Sequence, residues 1–234
     1  MKKLLYIAFI SIIVVALAAC GNNSDTSESK EGAKASEIRI GYFPNMTHIA
    51  TIVALEKGYF EEQLGDIKIS TKTFNDGSSF MEAMSTDAID IGTVGPTPAL
   101  NTYVKNPKHE IISGAVNGGA VLVVAGDSDI HSVEDLAGKK VAIPTYGSTQ
   151  DVGLMKSLKD AGLKVQSSGG DVITIKQAPA DTAALILKGE LDATATQEPW
   201  GVNIETMAGA RVLLDENEFA WGSESTNTVV VAQT

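Results

Sequence analysis

The stretch Ile38–Phe60, IRIGYFPNMTHIATIVALEKGYF, does most to limit what this chain can fold into. Its alternate apolar residues Ile38, Ile40 and Tyr42 read as a short strand of period two. Pro44, in the loop Phe43–Asn45, bars a direct run into helix. A helical pattern then opens near Met46, sets Ile49, Ile52, Val53 and Leu55 at helical spacing and ends at Gly58. In an open α/β sheet, ligands sit at the carboxyl ends of such strands. The first amides of the following helix are unpaired there and carry the positive end of its dipole, so an anion is the natural guest.

The unit recurs. Ile67–Phe74 alternates as a strand, Asn75-Asp76-Gly77-Ser78 turns, and Ser79-Phe80-Met81-Glu82 reads as a capping box that opens a helix. Ala88–Val94 is a strand running into Gly95-Pro96-Thr97-Pro98, with Thr97 as N-cap and Pro98 at the first helical position. Glu110–Ala115 is a further strand, broken by Asn117-Gly118-Gly119, and Ala120–Ala125 is apolar throughout, as a strand buried on both faces must be. A second series follows: a capping box at Ser132–Asp135, a strand at Lys140–Ile143, a capping box at Ser148–Asp151 and a helix to about Ala161. Then come a strand at Asp171–Gln177, a helix at Pro179–Lys188, and strands at Leu191–Thr196, Arg211–Asp215 and Thr226–Ala232. Strands alternating with helices mean parallel sheets. Two series joined by paired apolar strands, Ala120–Ala125 and Thr226–Ala232, predict two α/β lobes, a hinge of two crossover strands and a cleft for a small molecule.

The N-terminus is a different kind of sequence. Lys2 and Lys3, the apolar run Leu4–Leu17 and the small residues Ala18-Ala19 read as a secretory signal over residues 1–19, too short for a membrane span. Leu17-Ala18-Ala19-Cys20 resembles the lipobox of bacterial lipoproteins, which implies that Cys20, the only cysteine of 234 residues, is lipidated. Residues 20–36 then form a polar tether. The formal net charge of −11 becomes −13 once Lys2 and Lys3 leave. That balance excludes a nucleic-acid partner, which needs a basic stripe. It also means that any anion site works through local dipoles rather than long-range attraction.

Four stretches together, GYFPNMTHIATIVALEKGYFEE, IDIGTVGPTPALNTYVK, LAGKKVAIPTYGSTQD and ATATQEPWG, resemble the solute-binding proteins of ABC importers, in the branch for aliphatic sulfonates, taurine and nitrate. The resemblance runs from about Glu37 to Thr234. It implies the type II periplasmic-binding fold, with a first lobe over residues 37–117, a crossover strand and second lobe over 118–225, and a return strand over 226–234. Family members continue past that strand with helices that complete the first lobe, so the chain reads as a fragment with the C-terminal part of lobe 1 missing.

Helix heads and strand ends nominate the site: Asn45, Thr47 and His48 after the first strand, then Gly77, Ser78 and Ser79, then Gly95, Pro96 and Thr97, and Gly147, Ser148 and Thr149 from the other lobe. Each hydroxyl is either an N-cap or a ligand contact. The resemblance implies Thr97, Ser148 and Thr149 as oxyanion contacts, with the amides of Ser79 and Thr97 beside them. Glu198 and Trp200 either grip a ligand's cationic or carbon tail or serve as loop charge and core. Asn117 either bonds ligand or turns the chain. His48 donates to an anion or packs neutrally, and His109 and His131 read as surface.

No histidine pair has metal-ligand spacing, so neither a metal nor a cofactor is expected. There is no nucleophile elbow and no phosphate-binding G-x-x-x-x-G-K loop, which argues against an enzyme. The resemblance implies a monomeric binding lipoprotein, exported and held at the outer face of the cytoplasmic membrane or in the periplasm, that passes a small anionic solute to an ABC permease and its ATPase. A receptor for a thiamine pyrimidine precursor and a surface sensor are the alternatives.

Overall fold

The computed structural model describes residues 35–234. The signal segment, Cys20 and most of the tether lie outside the described residues. Among the described residues no helix is long and apolar enough to cross a membrane.

Two five-stranded sheets carry the fold. The first contains β1 (Glu37–Tyr42), β2 (Lys68–Thr73), β3 (Ile91–Val94), β4 (His109–Asn117) and, from the end of the chain, β10 (Thr226–Gln233), in the order β2-β1-β3-β10-β4. A 3-10 turn at Met46–His48 leads from β1 into α1 (Ile49–Glu56), followed by α2 (Tyr59–Leu64). α3 (Gly77–Ser85) precedes β3 and α4 (Pro96–Tyr103) follows it. β1 runs parallel to both β2 and β3, as strand–helix–strand connections require. Phe43, Phe74 and Phe80 fill the core of this lobe with Met81, Met84, Ile89 and Val94. Gly41 and Gly92, register partners on β1 and β3, keep a place for the Phe80 ring. A Cβ on Gly41 would lie 2.7 Å from that ring, and one on Gly92 would lie 2.9 Å from it.

The second sheet contains β5 (Ala120–Val124), β6 (Lys140–Ile143), β7 (Ile173–Lys176), β8 (Ala193–Gln197) and β9 (Arg211–Leu214), in the order β7-β6-β8-β5-β9. α5 (Thr149–Asp160), α6 (Pro179–Leu187) and α7 (Trp200–Ala208) pack on it. β5 is buried on both faces. Leu122 and Val124 join one core with Ile143 and Leu158, while Val121 and Val123 join the other with Ile186 and Ile204.

Ala120–Ala125 and Thr226–Ala232 do not pair with each other, contrary to expectation. β5 lies antiparallel between β8 and β9, and β10 antiparallel between β3 and β4. Gly118 (φ 69°) and Gly119 (φ 76°) turn the chain out of one sheet just before β5 enters the other. The crossover points meet instead: the Gly118 amide donates to Ser225 O at 2.9 Å, and Asn227 Nδ2 donates to Gly118 O at 3.0 Å.

Three local readings need correction. Asp76, not Ser79, caps α3; its Oδ1 accepts from the amides of Ser78 and Ser79 at 2.9 and 3.0 Å. α4 starts two residues earlier than expected, with Gly95 rather than Thr97 as N-cap and Pro96 rather than Pro98 at the first helical position. His109 is not a surface residue: it opens β4, is 2% exposed, donates from Nε2 to Ala99 O at 3.0 Å and meets the Tyr103 ring edge-on. α7 was not anticipated, because Gly201, Val202 and Asn203 are weak helix formers; burial of Ile204 against β5 and α6 stabilises it instead.

Candidate functional site

The carboxyl ends of the parallel strands of both sheets face one another across a cleft of about 430 Å³, counting its open mouth. The loop after β1 contributes Phe43, Asn45, Thr47 and His48, and the α3 head contributes Asn75, Asp76 and Gly77. Gly95 and Pro98 come from the start of α4. From the second lobe come Pro144, the α5 head with Ser148, Thr149 and Gln150, and Gln197 at the end of β8. Asn227 and Thr228 of β10 close the hinge side. The lobes touch here: Gln150 Nε2 donates to Asn227 Oδ1 at 3.1 Å, and a Cβ on Gly95 would lie 2.3 Å from Thr149 Oγ1.

Helix heads are not equivalent as anion sites. At α3 the Asp76 carboxylate already occupies the amides of Ser78 and Ser79, so the Ser79 amide is not available to a ligand. At α4 two of the first three residues are proline, and Thr97 alone of those three has an N–H. At α5 the Ser148 hydroxyl accepts from the Asp151 amide at 3.1 Å, which leaves the amides of Thr149 and Gln150 without a backbone partner. α5 therefore presents the richest donor set.

Side chains add to it. Thr149 Oγ1, Gln197 Oε1 and Thr228 Oγ1 are buried without a hydrogen-bond partner, and all three residues line the cleft. Buried polar atoms are nearly always paired, so three orphans around one cleft mark a place for a polar guest. Among the described residues no side-chain cation lines the cleft, and Asp76 is the one charged residue on its lining. Asp151 stands behind the α5 head and accepts from the Gly147 amide at 2.7 Å. Burial pushes its carboxyl above the ordinary value.

His48 is buried, its ring tilted by 31° to that of Phe43 with centroids 4.5 Å apart, and its Nδ1 shares a 2.7 Å hydrogen bond with Thr93 Oγ1. Desolvation holds its pKa at about 3. Below pH 6.5 the unfolded chain takes up a proton that the folded chain refuses until about pH 3, so the neutral ring's contribution is complete above 6.5 and is lost as the pH falls. Urea melts between pH 4 and 7 should show stability falling by up to about 1.4 kcal/mol per pH unit from this group. The slope should shrink by one proton in His48→Gln.

Of the residues nominated by sequence, Asn45, Thr47, His48, Gly77, Gly95, Ser148 and Thr149 line the cleft. Ser78 and Gly147 line a larger, open hollow at its mouth with Asn101, Lys105 and Tyr146. Ser79, Pro96, Thr97 and Asn117 line neither; Asn117 is exposed and pairs in register with Thr226. Glu198 and Trp200 lie off the lining as well: Glu198 Oε2 accepts from the Val202 amide at 3.1 Å and so caps α7, of which Trp200 is the first residue. Sequence reasoning passed over Asp76, Gln197, Asn227 and Thr228. Gln197 was legible in principle as the last residue of a strand, whereas Asn227 and Thr228 reach the cleft only through the long return to the first sheet.

Comparison with known proteins places this geometry. A protein of Escherichia coli (strain K12) named as an aliphatic sulfonates-binding protein is 29% identical over 213 residues, covering 89% of this chain and 64% of its own length. One of the same name from Bacillus subtilis (strain 168) is 30% identical over 220 residues, covering 92% of this chain and 62% of its own length. The chain thus spans less than two thirds of either relative. Among solved structures, the alkanesulfonate-binding protein SsuA from Xanthomonas axonopodis pv. citri, bound to MOPS, shares the fold with a TM-score of 0.74 at 24% identity, over 86% of this chain and 67% of its own. The two-lobed α/β architecture is that of the type II periplasmic-binding proteins. A family profile described as the NMT1-like family matches residues 31–230, and the chain belongs to that family.

Proposed function

We propose that the chain captures a small oxyanion, an aliphatic sulfonate or taurine, between its lobes and delivers it to the membrane permease of an ABC importer, with Cys20 as its lipid anchor. The observation that carries this reading is the set of orphaned buried hydroxyls, Thr149 and Thr228, beside the free amides at the head of α5. A tetrahedral sulfonate offers three oxygens, and hydroxyl and amide donors from α5 on one side and β10 on the other suit it better than they suit planar nitrate. The names of the relatives support the same class. Binding is favoured over catalysis because the one imidazole at the cleft is engaged with Thr93 and too acidic to act as a base near neutral pH.

Calorimetric titration with methanesulfonate, taurine, nitrate and methylphosphonate tests the reading. Sulfonates should bind. Thr149→Ala and Thr228→Val should each weaken them by about 10- to 100-fold, the worth of a hydrogen bond to a charged group. Thr228→Val removes an unpartnered hydroxyl, so the free protein should melt no lower. With no side-chain cation in the cleft, affinity should change less than about twofold across a several-fold change in salt. Unchanged affinity in both variants contradicts the assignment.

A further inference from the structure

One of the orphans in the cleft is an atom that a sulfonate cannot satisfy. The hydroxyls of Thr149 and Thr228 can donate to an anion, but Gln197 Oε1 is a carbonyl oxygen and can only accept. A sulfonate near neutral pH has no proton to give it. Asp76 makes the same demand with a charge attached. Its Oδ1 accepts from the amides of Ser78 and Ser79, whereas Oδ2 accepts from no group among the described residues. Nor does the Asp76 carboxylate join an ion pair among them. Asp76 stands at the head of α3 and Gln197 at the end of β8, so the two acceptors reach one cleft from opposite lobes. A plain alkanesulfonate would bring its charge into a space lined by a carboxylate and, among the described residues, no side-chain cation.

We infer that the guest of this cleft is a compact zwitterion, a sulfonate joined by a short spacer to an ammonium that Asp76 and Gln197 accept from. The inference rests on the oxyanion reading and narrows it. The charges balance: the ammonium offsets Asp76, and the guest enters an acidic protein with no net charge of its own. The hydrogen bonds balance as well. The α5 amides and the two threonine hydroxyls serve the sulfonate oxygens, while Gln197 Oε1 and Asp76 Oδ2 take two of the three ammonium N–H groups. The third is left to water at the open mouth. Thr149 and Thr228 also come from opposite lobes, so each end of the guest bridges the cleft. The centres of guest atoms have about 50 Å³ in which to lie, several times what one water needs, so the spacer is short. Taurine, with two carbons, is the simplest such molecule. The amine selection that sequence assigned to Glu198 thus falls to Asp76 and Gln197, because Glu198 caps α7 and lies off the lining.

Calorimetry on the full chain compares taurine with ethanesulfonate, 1,2-ethanedisulfonate and ethylammonium. Taurine should bind at least about tenfold more tightly than ethanesulfonate, and the disulfonate more weakly than either. Asp76→Asn, which keeps a good N-cap, should weaken taurine and strengthen ethanesulfonate, cutting the preference about fivefold. Gln197→Met removes the acceptor without adding charge: it should weaken taurine about tenfold, change ethanesulfonate less than about twofold and melt no lower. Gln197→Glu, an acceptor only, should raise the preference for taurine. Glu198→Gln should leave it as it was. Equal affinity for taurine and ethanesulfonate in the native chain overturns the inference while the sulfonate site stands. So does a loss common to both ligands in Gln197→Glu, since Gln197 would then be donating to the sulfonate. If the native chain binds no sulfonate, or binds ethylammonium as tightly as taurine, the oxyanion reading falls and the zwitterion falls with it.

Discussion

Gly95→Val is expected to lose at least about 100-fold in ligand affinity, about 2.7 kcal/mol, while its melting midpoint stays close to that of the native chain. Gly95 has φ −61° and ψ 143°, a conformation open to any residue, so the substitution strains no backbone. Its cost lies across the cleft. A Cβ at this position would lie 2.3 Å from Thr149 Oγ1 and 3.5 Å from Thr149 Cβ. Alanine can be met by turning the threonine, whereas the second branch of valine leaves that side chain no place and holds the lobes apart. Each lobe keeps its own core, so separation costs little stability but removes the closed state in which donors from α5 and β10 reach one ligand. Titration and a thermal melt of the same preparation check both halves. Full affinity in Gly95→Val means that capture does not need this approach of the lobes.

Gly92→Ala is the counterpart within one lobe, and here stability is the readout. A Cβ on Gly92 would lie 2.2 Å from the carbonyl oxygen of Gly41 and 2.9 Å from the Phe80 ring. The first obstacle is backbone, held in place because β1 pairs on its other side with β2 over six register positions. The expected loss is about 3 kcal/mol, the upper part of the range for overpacking. For a domain of this size that lowers the melting temperature by roughly 6–12 °C. Gly41→Ala meets the far ends of Ile89 and Phe80 instead, and should cost less. A denaturant series on both variants checks the order; a loss under about 1 kcal/mol at Gly92 would show that the β1–β3 spacing relaxes freely.

What sequence could and could not tell about the site follows from range. Strand alternation, the Ser148 cap and the Ser132–Asp135 capping box are local, and they were legible because residues a few positions apart decide them. The competition at α3 was not: Asp76 and Ser79 are both good caps, and the winner depends on where β2 releases the chain. The poverty of amides at α4 was in plain view in Gly95-Pro96-Thr97-Pro98 but was outweighed by the pattern of a helix head. At the end of β8 a shift of one residue reverses the direction of a side chain, so Gln197 faces the cleft and Glu198 turns to cap α7. Asn227 and Thr228 belong to the return strand, whose position next to α5 is set by pairing with β3 and β4 more than a hundred residues earlier. Only the folded chain brings them there.

We propose that a sulfonate head sits at the head of α5, between Thr149 and Thr228. The most direct measurement is a crystal structure with ethanesulfonate bound, phased far enough to show anomalous scattering from sulfur. One ligand sulfur peak is expected within hydrogen-bonding reach of both threonine hydroxyls and of the Thr149 and Gln150 amides. A peak instead in the hollow at the mouth, beside Lys105, would contradict it, since a side-chain cation rather than buried neutral donors would then be holding the anion.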